Sequence, residues 1–229
     1  MSTSSGPESW VASQLEVEAA GPTHSAALVA LFERTGTACH CQYWHFAGDK
    51  NAWLDRLFHA PEQNRAAFVA GMQAATNEPK GVVALHSGLA VGWLKLSPAE
   101  NVQKLYEQRL YRGLPCFTGP REGVLTVGCL LVEESMRRRG VARALLRGAL
   151  KLAQARGARA VEAFPRRSDQ AGPAELWTGP VAIFIEAGFE IVNDFGPYPV
   201  LRRDLDRDPP GGTGGAGGGR SRAVETPKA

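Results

Sequence analysis

Val127-Gly128-Cys129-Leu130-Leu131-Val132-Glu133-Glu134-Ser135-Met136-Arg137-Arg138-Arg139-Gly140-Val141-Ala142-Arg143-Ala144-Leu145-Leu146 reads as a buried strand, a short polar turn, a glycine, a small residue and an amphipathic helix. The strand is the end of a near-continuous apolar run, Val124 to Val132, which holds no proline and suits the centre of a sheet. The helix is predicted from about Gly140 to Ala155, stopped by Arg156-Gly157. A strand that enters a helix through a glycine-containing turn aims free backbone N–H groups at the space beyond the strand. Those donors and the helix dipole make an anion site. Gly140 allows close approach, and Ala142 keeps the first turn narrow. Arg137, Arg138, Arg139, Arg143, Arg147, Lys151, Arg156 and Arg159 add positive charge, with no acidic residue between the first and the last. The expected ligand is a pyrophosphate, with a further phosphate near the arginines. Other phosphate-binding loops fail on spacing. No Gly-x-x-x-x-Gly-Lys-Ser/Thr occurs, and no Gly-x-Gly-x-x-Gly follows a strand.

Working outward, Leu15 to Ala19 alternates as a strand, and Gly21-Pro22-Thr23 opens a helix running through Phe32 to Thr35-Gly36-Thr37. After the unusual segment Cys39 to Phe46, Asp49 caps a helix holding Trp53, Leu54, Leu57 and Phe58, and another follows Pro61. Gly81–His86 and Leu89–Leu96 are strands joined by a two-residue turn at Ser87-Gly88. Pro98 to Arg112 reads as a surface-facing helix. Ala160 to Phe164 is a short strand ended by Pro165, Val181 to Glu186 a helix ending at Gly188, and Phe189–Val192 and Val200–Arg202 are closing strands. The pattern predicts one mixed α/β sheet without repeats.

The chain has 229 residues, 44% hydrophobic and 21% charged, with a formal net charge of +3. That composition is ordinary for a globular protein and excludes a nucleic-acid coat acting through overall charge. No apolar run approaches the ~18 residues of a membrane span. Met1 to Ser9 lacks the pattern of a secretory signal, and four cysteines are too few for a disulfide scaffold, so a reduced cytoplasmic setting is expected. The stretch 206–229 has seven glycines in the nine residues 211–219 and is expected to be a disordered tail; residues 1–13 are expected to be flexible. The domain is therefore placed at 14–205, where the charge is still +3.

Arg137-Arg138-Arg139-Gly140-Val141-Ala142 resembles the Arg/Gln-x-x-Gly-x-Gly/Ala signature of the GNAT superfamily of acyl-CoA-dependent N-acetyltransferases. The strand ending five residues before Arg137, the hairpin at 81–96 and the later Ala182-Ile183-Phe184-Ile185-Glu186-Ala187-Gly188-Phe189 are similar to that family over about residues 14–205. The resemblance implies an α/β fold with a single mixed, mostly antiparallel central sheet flanked by helices. It implies acetyl-CoA as acyl donor, its pyrophosphate on backbone N–H groups from about Arg138 to Arg143, and its pantetheine along Leu130, Leu131 and Val132. A backbone N–H there would polarise the thioester carbonyl. The strand holding Glu162 would splay from that holding Val132, and a neutral amine would attack directly. A homodimer is compatible with the resemblance, and a membrane partner is not expected.

Direct attack needs proton movements, because an alkyl amine of pKa near 10 is only roughly 0.1% neutral at pH 7. Many relatives place a tyrosine acid four residues before the glycine of Gly-Phe. This chain has Phe184 there, which carries no proton. Glu162 is the candidate base, a carboxylate in an otherwise apolar strand, with an outward-facing strand position as its plainer reading. Tyr43, Trp44 and His45 are candidates for the acceptor wall, since the family's first two helices and their joint form it. Cys129 reads as a buried small hydrophobe, and a nucleophilic role is the sharper alternative. Cys39-x-Cys41 lacks a second Cys/His pair, so no metal is expected. Trp177-Thr178-Gly179-Pro180 reads as the start of a helix, with a turn beside the site as the alternative. The expected acceptor is a small-molecule or peptide amine. The rival readings are a non-catalytic acyl-CoA-binding module, motivated by Phe184, and a nucleic-acid binder using the basic run, which lacks interleaved aromatics.

Overall fold

The computed structural model describes residues 14–167 and 177–205; the segments expected to be flexible, 1–13 and 206–229, lie outside the described residues. Among the described residues the strands are β1 (Leu15–Ala19), β2 (Gly81–His86), β3 (Leu89–Pro98), β4 (Val124–Val132), β5 (Ala160–Ala163), β6 (Glu190–Asn193) and β7 (Val200–Asp204). They form one sheet in the order β1-β2-β3-β4-β5-β7-β6. Every neighbouring pair is antiparallel except β4 and β5, which are parallel. The helices are α1 (Ser25–Arg34), α2 (Lys50–His59), α3 (Pro61–Gln73), α4 (Gln103–Tyr106), α5 (Val141–Ala155) and α6 (Val181–Glu186).

The α5 sequence buries Val141, Leu145, Leu146, Ala149, Leu150 and Ala153, a stripe at helical spacing. It packs on one sheet face with Val82, Leu94, Leu96 and Val127. Leu145 and Leu146 are fully enclosed, which contributes about 1.5–3 kcal/mol each before chain entropy is charged. The first turn of α5 sits close against β3 because residue 92 is glycine. A Cβ there would come within 2.9 Å of the Val141 and Leu145 side chains. On the opposite face Leu28, Leu31 and Phe32 of α1 and Phe68 and Met72 of α3 pack on Val83, Trp93 and Cys129. The hairpin turn forms as expected, with Ser87 and Gly88 both at positive φ (51° and 78°), the geometry of a type I′ turn.

The expected helix from Pro98 to Arg112 is a correction. The segment is a 3₁₀ turn (Ala99–Val102), the four-residue α4 and further turns. Nor does it face solvent throughout, since Val102, Leu105 and Tyr111 are buried. Its conformation is set from outside: Lys104 Nζ donates to the carbonyls of Phe46 (3.0 Å) and Gly48 (2.8 Å), and Tyr106 and Tyr111 pack edge-on against Phe164.

Two irregularities in β4 create the site. Lys95 pairs with Cys129 but Leu96 pairs with Val127, so Gly128 is the extra residue of a bulge. The bulge restarts the alternation of faces: Val127 and Leu130 join the α5 side, while Cys129 joins the α1/α3 side. Pairing of β4 with β5 runs only from Val124↔Ala160 to Val127↔Ala163. From Gly128 to Val132, β4 continues beyond the end of β5, and the sheet opens there.

Candidate active site

The opening is flanked by the start of α5. Gly140 holds φ +81°, a left-handed conformation that glycine adopts without steric penalty, and a Cβ placed on it would meet nothing within 4 Å. Arg138 is also left-handed, at φ 61°. Ala144 N–H bonds back to the Gly140 carbonyl at 3.0 Å, while the N–H groups of the first helical turn before it have no partner in the preceding turn. Together with the helix dipole they form a positively polarised mouth open to an anion. Arg137 Nε donates to the Val132 carbonyl at 3.3 Å, tying the turn to the end of β4.

The basic run divides by role. Arg143 makes a two-point ion pair with Glu186 of α6, at 2.6 and 2.9 Å. Arg156 donates to the Asn77 carbonyl, and Arg159 to those of Pro120 and Glu122. Because α5 begins at Val141, Arg139 precedes the helix.

A cavity of about 1220 Å³ runs from this mouth along the exposed part of β4. Leu130, Leu131, Val132, Arg137, Arg138, Gly140, Val141, Ala142 and Arg143 line it; Arg139 does not. At the other end lie Tyr43 and Trp44, joined by Lys50, Trp53, Leu54 and Trp177. Trp53 is expected from the sequence to shape the acceptor pocket with the cluster of Tyr43, Trp44 and Phe46, and Trp177 has a turn beside the site as its alternative reading; Lys50 and Leu54 carry no such signal in the sequence. Trp44 Nε1–H donates to the Gly128 carbonyl at 3.2 Å, which pins the indole over the bulge. Its ring lies 4.6 Å from Tyr43 and 5.8 Å from Trp177, centroid to centroid. The Trp177 carbonyl accepts the Leu130 N–H at 2.7 Å, so the turn preceding α6 lies beside the site as well as starting a helix.

The Cys39-x-Cys41 segment forms one wall. His40 and Cys41 are both left-handed (φ 46° and 55°), a strained pair for residues with side chains. The Cys41 carbonyl accepts from Lys95 Nζ at 3.1 Å. Lys95 stands opposite Cys129 in register, and burial pushes its pKa down. Cys39, Cys41 and Cys129 all line the cavity. Burial and the hydrogen bond to Cys129 hold the Cys41 thiol well above the usual range. Among the described residues no group of three or more His, Cys, Asp or Glu is arranged to hold a metal ion. His45, expected with the acceptor wall, does not line the cavity; desolvation and the nearby Lys95 charge lower its pKa to about 4.

Glu162 is also absent from the cavity lining. It is 1% exposed, neither outward-facing nor free. Arg121 binds its two oxygens at 3.0 and 2.5 Å, Arg202 donates at 2.8 Å and Tyr106 OH at 2.7 Å. A carboxylate so engaged is a structural anchor. Burial and the Glu162 charge push the Tyr106 phenol well above its ordinary range. Phe184 is fully buried against Phe189, so its position supplies no proton donor.

Comparison with known proteins agrees with this architecture. The model of the Acetyltransferase (GNAT) family matches residues 40–172, and the chain belongs to that family of acyltransferases. Among curated proteins no sequence matches. Among solved structures, a GCN5-related N-acetyltransferase from Kribbella flavida is similar at 20% identity and TM-score 0.50, covering 85% of this chain and 99% of that one. A putative acetyltransferase from Salmonella typhimurium, solved with its cofactor acetyl-CoA, has 15% identity and TM-score 0.50 over 85% of this chain and 96% of that one. The GNAT domain of S. lividans PAT has 19% identity and TM-score 0.50 over 83% of this chain and 90% of that one. At these identities the likeness is one of fold: a single mixed sheet with flanking helices.

Proposed function

We propose that this chain transfers an acetyl group from acetyl-CoA to a primary amine by direct attack. The observation that carries the reading is the glycine-opened start of α5 at the mouth of a cavity whose floor is the part of β4 that extends beyond β5. On this reading the backbone N–H groups from Arg138 to Arg143 hold the pyrophosphate, helped by the side chains of Arg137 and Arg138 at the cavity mouth. The open space at Gly140 fits the close approach of a phosphate. Leu130, Leu131 and Val132 supply the edge along which the pantetheine arm lies. The Leu130 N–H, which here donates to the Trp177 carbonyl at 2.7 Å, is on this reading the donor that would polarise a thioester carbonyl and stabilise the oxyanion once that bond is exchanged.

Neither Phe184 nor Glu162 moves a proton in this scheme. The CoA thiolate leaves without an acid at position 184, tolerable for a group whose thiol titrates near 8–9. The amine must reach the carbonyl neutral, and the cations lining the cavity favour that form by disfavouring ammonium.

A thermal shift with acetyl-CoA followed by a CoA-release assay over an amine panel tests the reading. Stabilisation and amine-dependent release are expected; no stabilisation with the donor well above micromolar would sink it. Phe184 favours a second reading, acyl-CoA binding without transfer. Stabilisation by acetyl-CoA with no release for any amine would select it.

A further inference from the structure

The cavity has two chemically distinct ends. One is cationic, with Arg137, Arg138 and Arg143 beside the first turn of α5. The other is walled by Tyr43, Trp44, Trp53, Leu54 and Trp177, with Lys50 as the charged residue among the described lining there. The volume of about 1220 Å³ exceeds the ~300–1,000 Å³ of pockets built for one small ligand, which leaves room for two reactants end to end.

We propose that the aromatic end takes the acceptor, and that the acceptor is a primary amine carried on a flat aromatic body. The inference rests on the acetyltransferase reading above and narrows it to a substrate class. Trp44 is the decisive residue. Its indole N–H is bonded to the Gly128 carbonyl, so the ring is held at the bulge, one residue from Cys129 and two from the Leu130 N–H. An amine that reaches a thioester at Leu130 passes along that ring. Trp177 lies 5.8 Å from Trp44 at an interplanar angle of 34° and is 46% exposed, so it extends the aromatic surface outward from the bulge. Tyr43 closes the other side at 4.6 Å and is backed by Trp53 at 5.3 Å. Such side chains are stiff and flat, and they offer a ring-bearing ligand stacking and edge contacts at little cost in ordering.

Charge points the same way. The charged side chains lining the cavity among the described residues are Lys50 and the three arginines, all cations. A polycationic acceptor would meet Lys50 at one end and Arg137 and Arg138 at the other, Arg143 being ion-paired with Glu186. An amine on an aromatic body presents a single nitrogen and an apolar remainder.

The test uses the full chain with saturating acetyl-CoA and follows CoA release. The acceptors are an aniline, an arylethylamine, an n-alkylamine of matched length, a linear polyamine and a lysine-containing peptide. The aromatic amines should show a kcat/KM about tenfold or more above the n-alkylamine, a difference of ~1.4 kcal/mol. Trp177→Ala should raise KM for the aromatic amines several-fold more than KM for the n-alkylamine. Trp177→Phe should restore most of the loss. Preference for the polyamine, the peptide or the alkylamine would overturn this inference while leaving the acetyltransferase reading intact. An equal effect of Trp177→Ala on every amine would also overturn it. Absence of stabilisation by acetyl-CoA would overturn both.

Discussion

Gly140 concentrates the phosphate-binding argument into one position. Its left-handed φ and the empty space around it separate two effects that a substitution would normally mix. Gly140→Ala adds only strain, costing about 1 kcal/mol of stability, and should still bind acetyl-CoA. Gly140→Asp adds the same strain and a carboxylate where phosphate is expected, and should abolish the thermal shift with acetyl-CoA. If the aspartate variant is stabilised as strongly as the alanine variant, the pyrophosphate is placed wrongly. This residue was legible because strand, turn, glycine and helix follow one another along the chain. Glu162 was not legible. Alternation along a strand offers two faces, and neither reveals that Arg121 and Arg202, each about 40 positions away, converge on the same carboxylate. Lys50 and Leu54 belong to the same case, since nothing in their own spacing reveals that they meet Trp177 at one cavity.

At the scale of elements, the segment between α1 and α2 carries the most strain and one buried histidine. His40 is 6% exposed, its ring packs against Phe32 at 5.0 Å, and Nδ1 lies 3.2 Å from the Ala38 carbonyl. Desolvation lowers its pKa from the ordinary 6.5. As pH falls below about 6.5 the unfolded chain takes up a proton that the folded chain refuses, so stability falls with pH in that window. His40→Asn suits the left-handed backbone and removes the titration. Denaturant unfolding should show wild type losing stability below pH 6.5 relative to this variant, with the gap constant above it. Parallel curves throughout would show that His40 is not the group responsible. The elements with their own periodicity or caps were readable: β4, α5, the β2–β3 hairpin and α2, whose Asp49 caps Ala52 N–H at 2.8 Å. The 98–112 segment was not, because its conformation answers to Phe46, Gly48 and Phe164 rather than to its own spacing.

At the scale of the whole molecule, the sheet is two parts joined by four residue pairs between β4 and β5. On one face α5 spans the join. On the other the Glu162 cluster does, since it gathers Arg121 and Tyr106 from the long β3–β4 connection and Arg202 from β7 around one carboxylate of β5. Glu162→Gln leaves Arg121 without its counter-charge and Arg202 with Asp204 alone. It should cost about 3 kcal/mol, the lower end for breaking a buried pair because both arginines keep some contact with water. On the reading above, its pH–rate profile should match that of the native chain; a displaced acidic limb would return Glu162 to the reaction. Among the described residues no helix is long and apolar enough to cross a membrane. The arginines and lysines that stood out along the chain are distributed in space, some to the cavity mouth and others to carbonyls of distant loops.

The hydrogen bond from Leu130 N–H to the Trp177 carbonyl has a thermodynamic consequence. An acyl donor that pairs with this N–H has to take the place of a carbonyl already supplied by the chain. Exchange of one acceptor for another gains little enthalpy at that atom, so binding strength has to come from the phosphate end and from apolar contact. The measured dissociation constant is then the intrinsic one divided by the fraction of molecules in which the N–H is free. On the proposed reading the Trp177 carbonyl would act as a competitor for the donor, tethered and therefore unaffected by dilution.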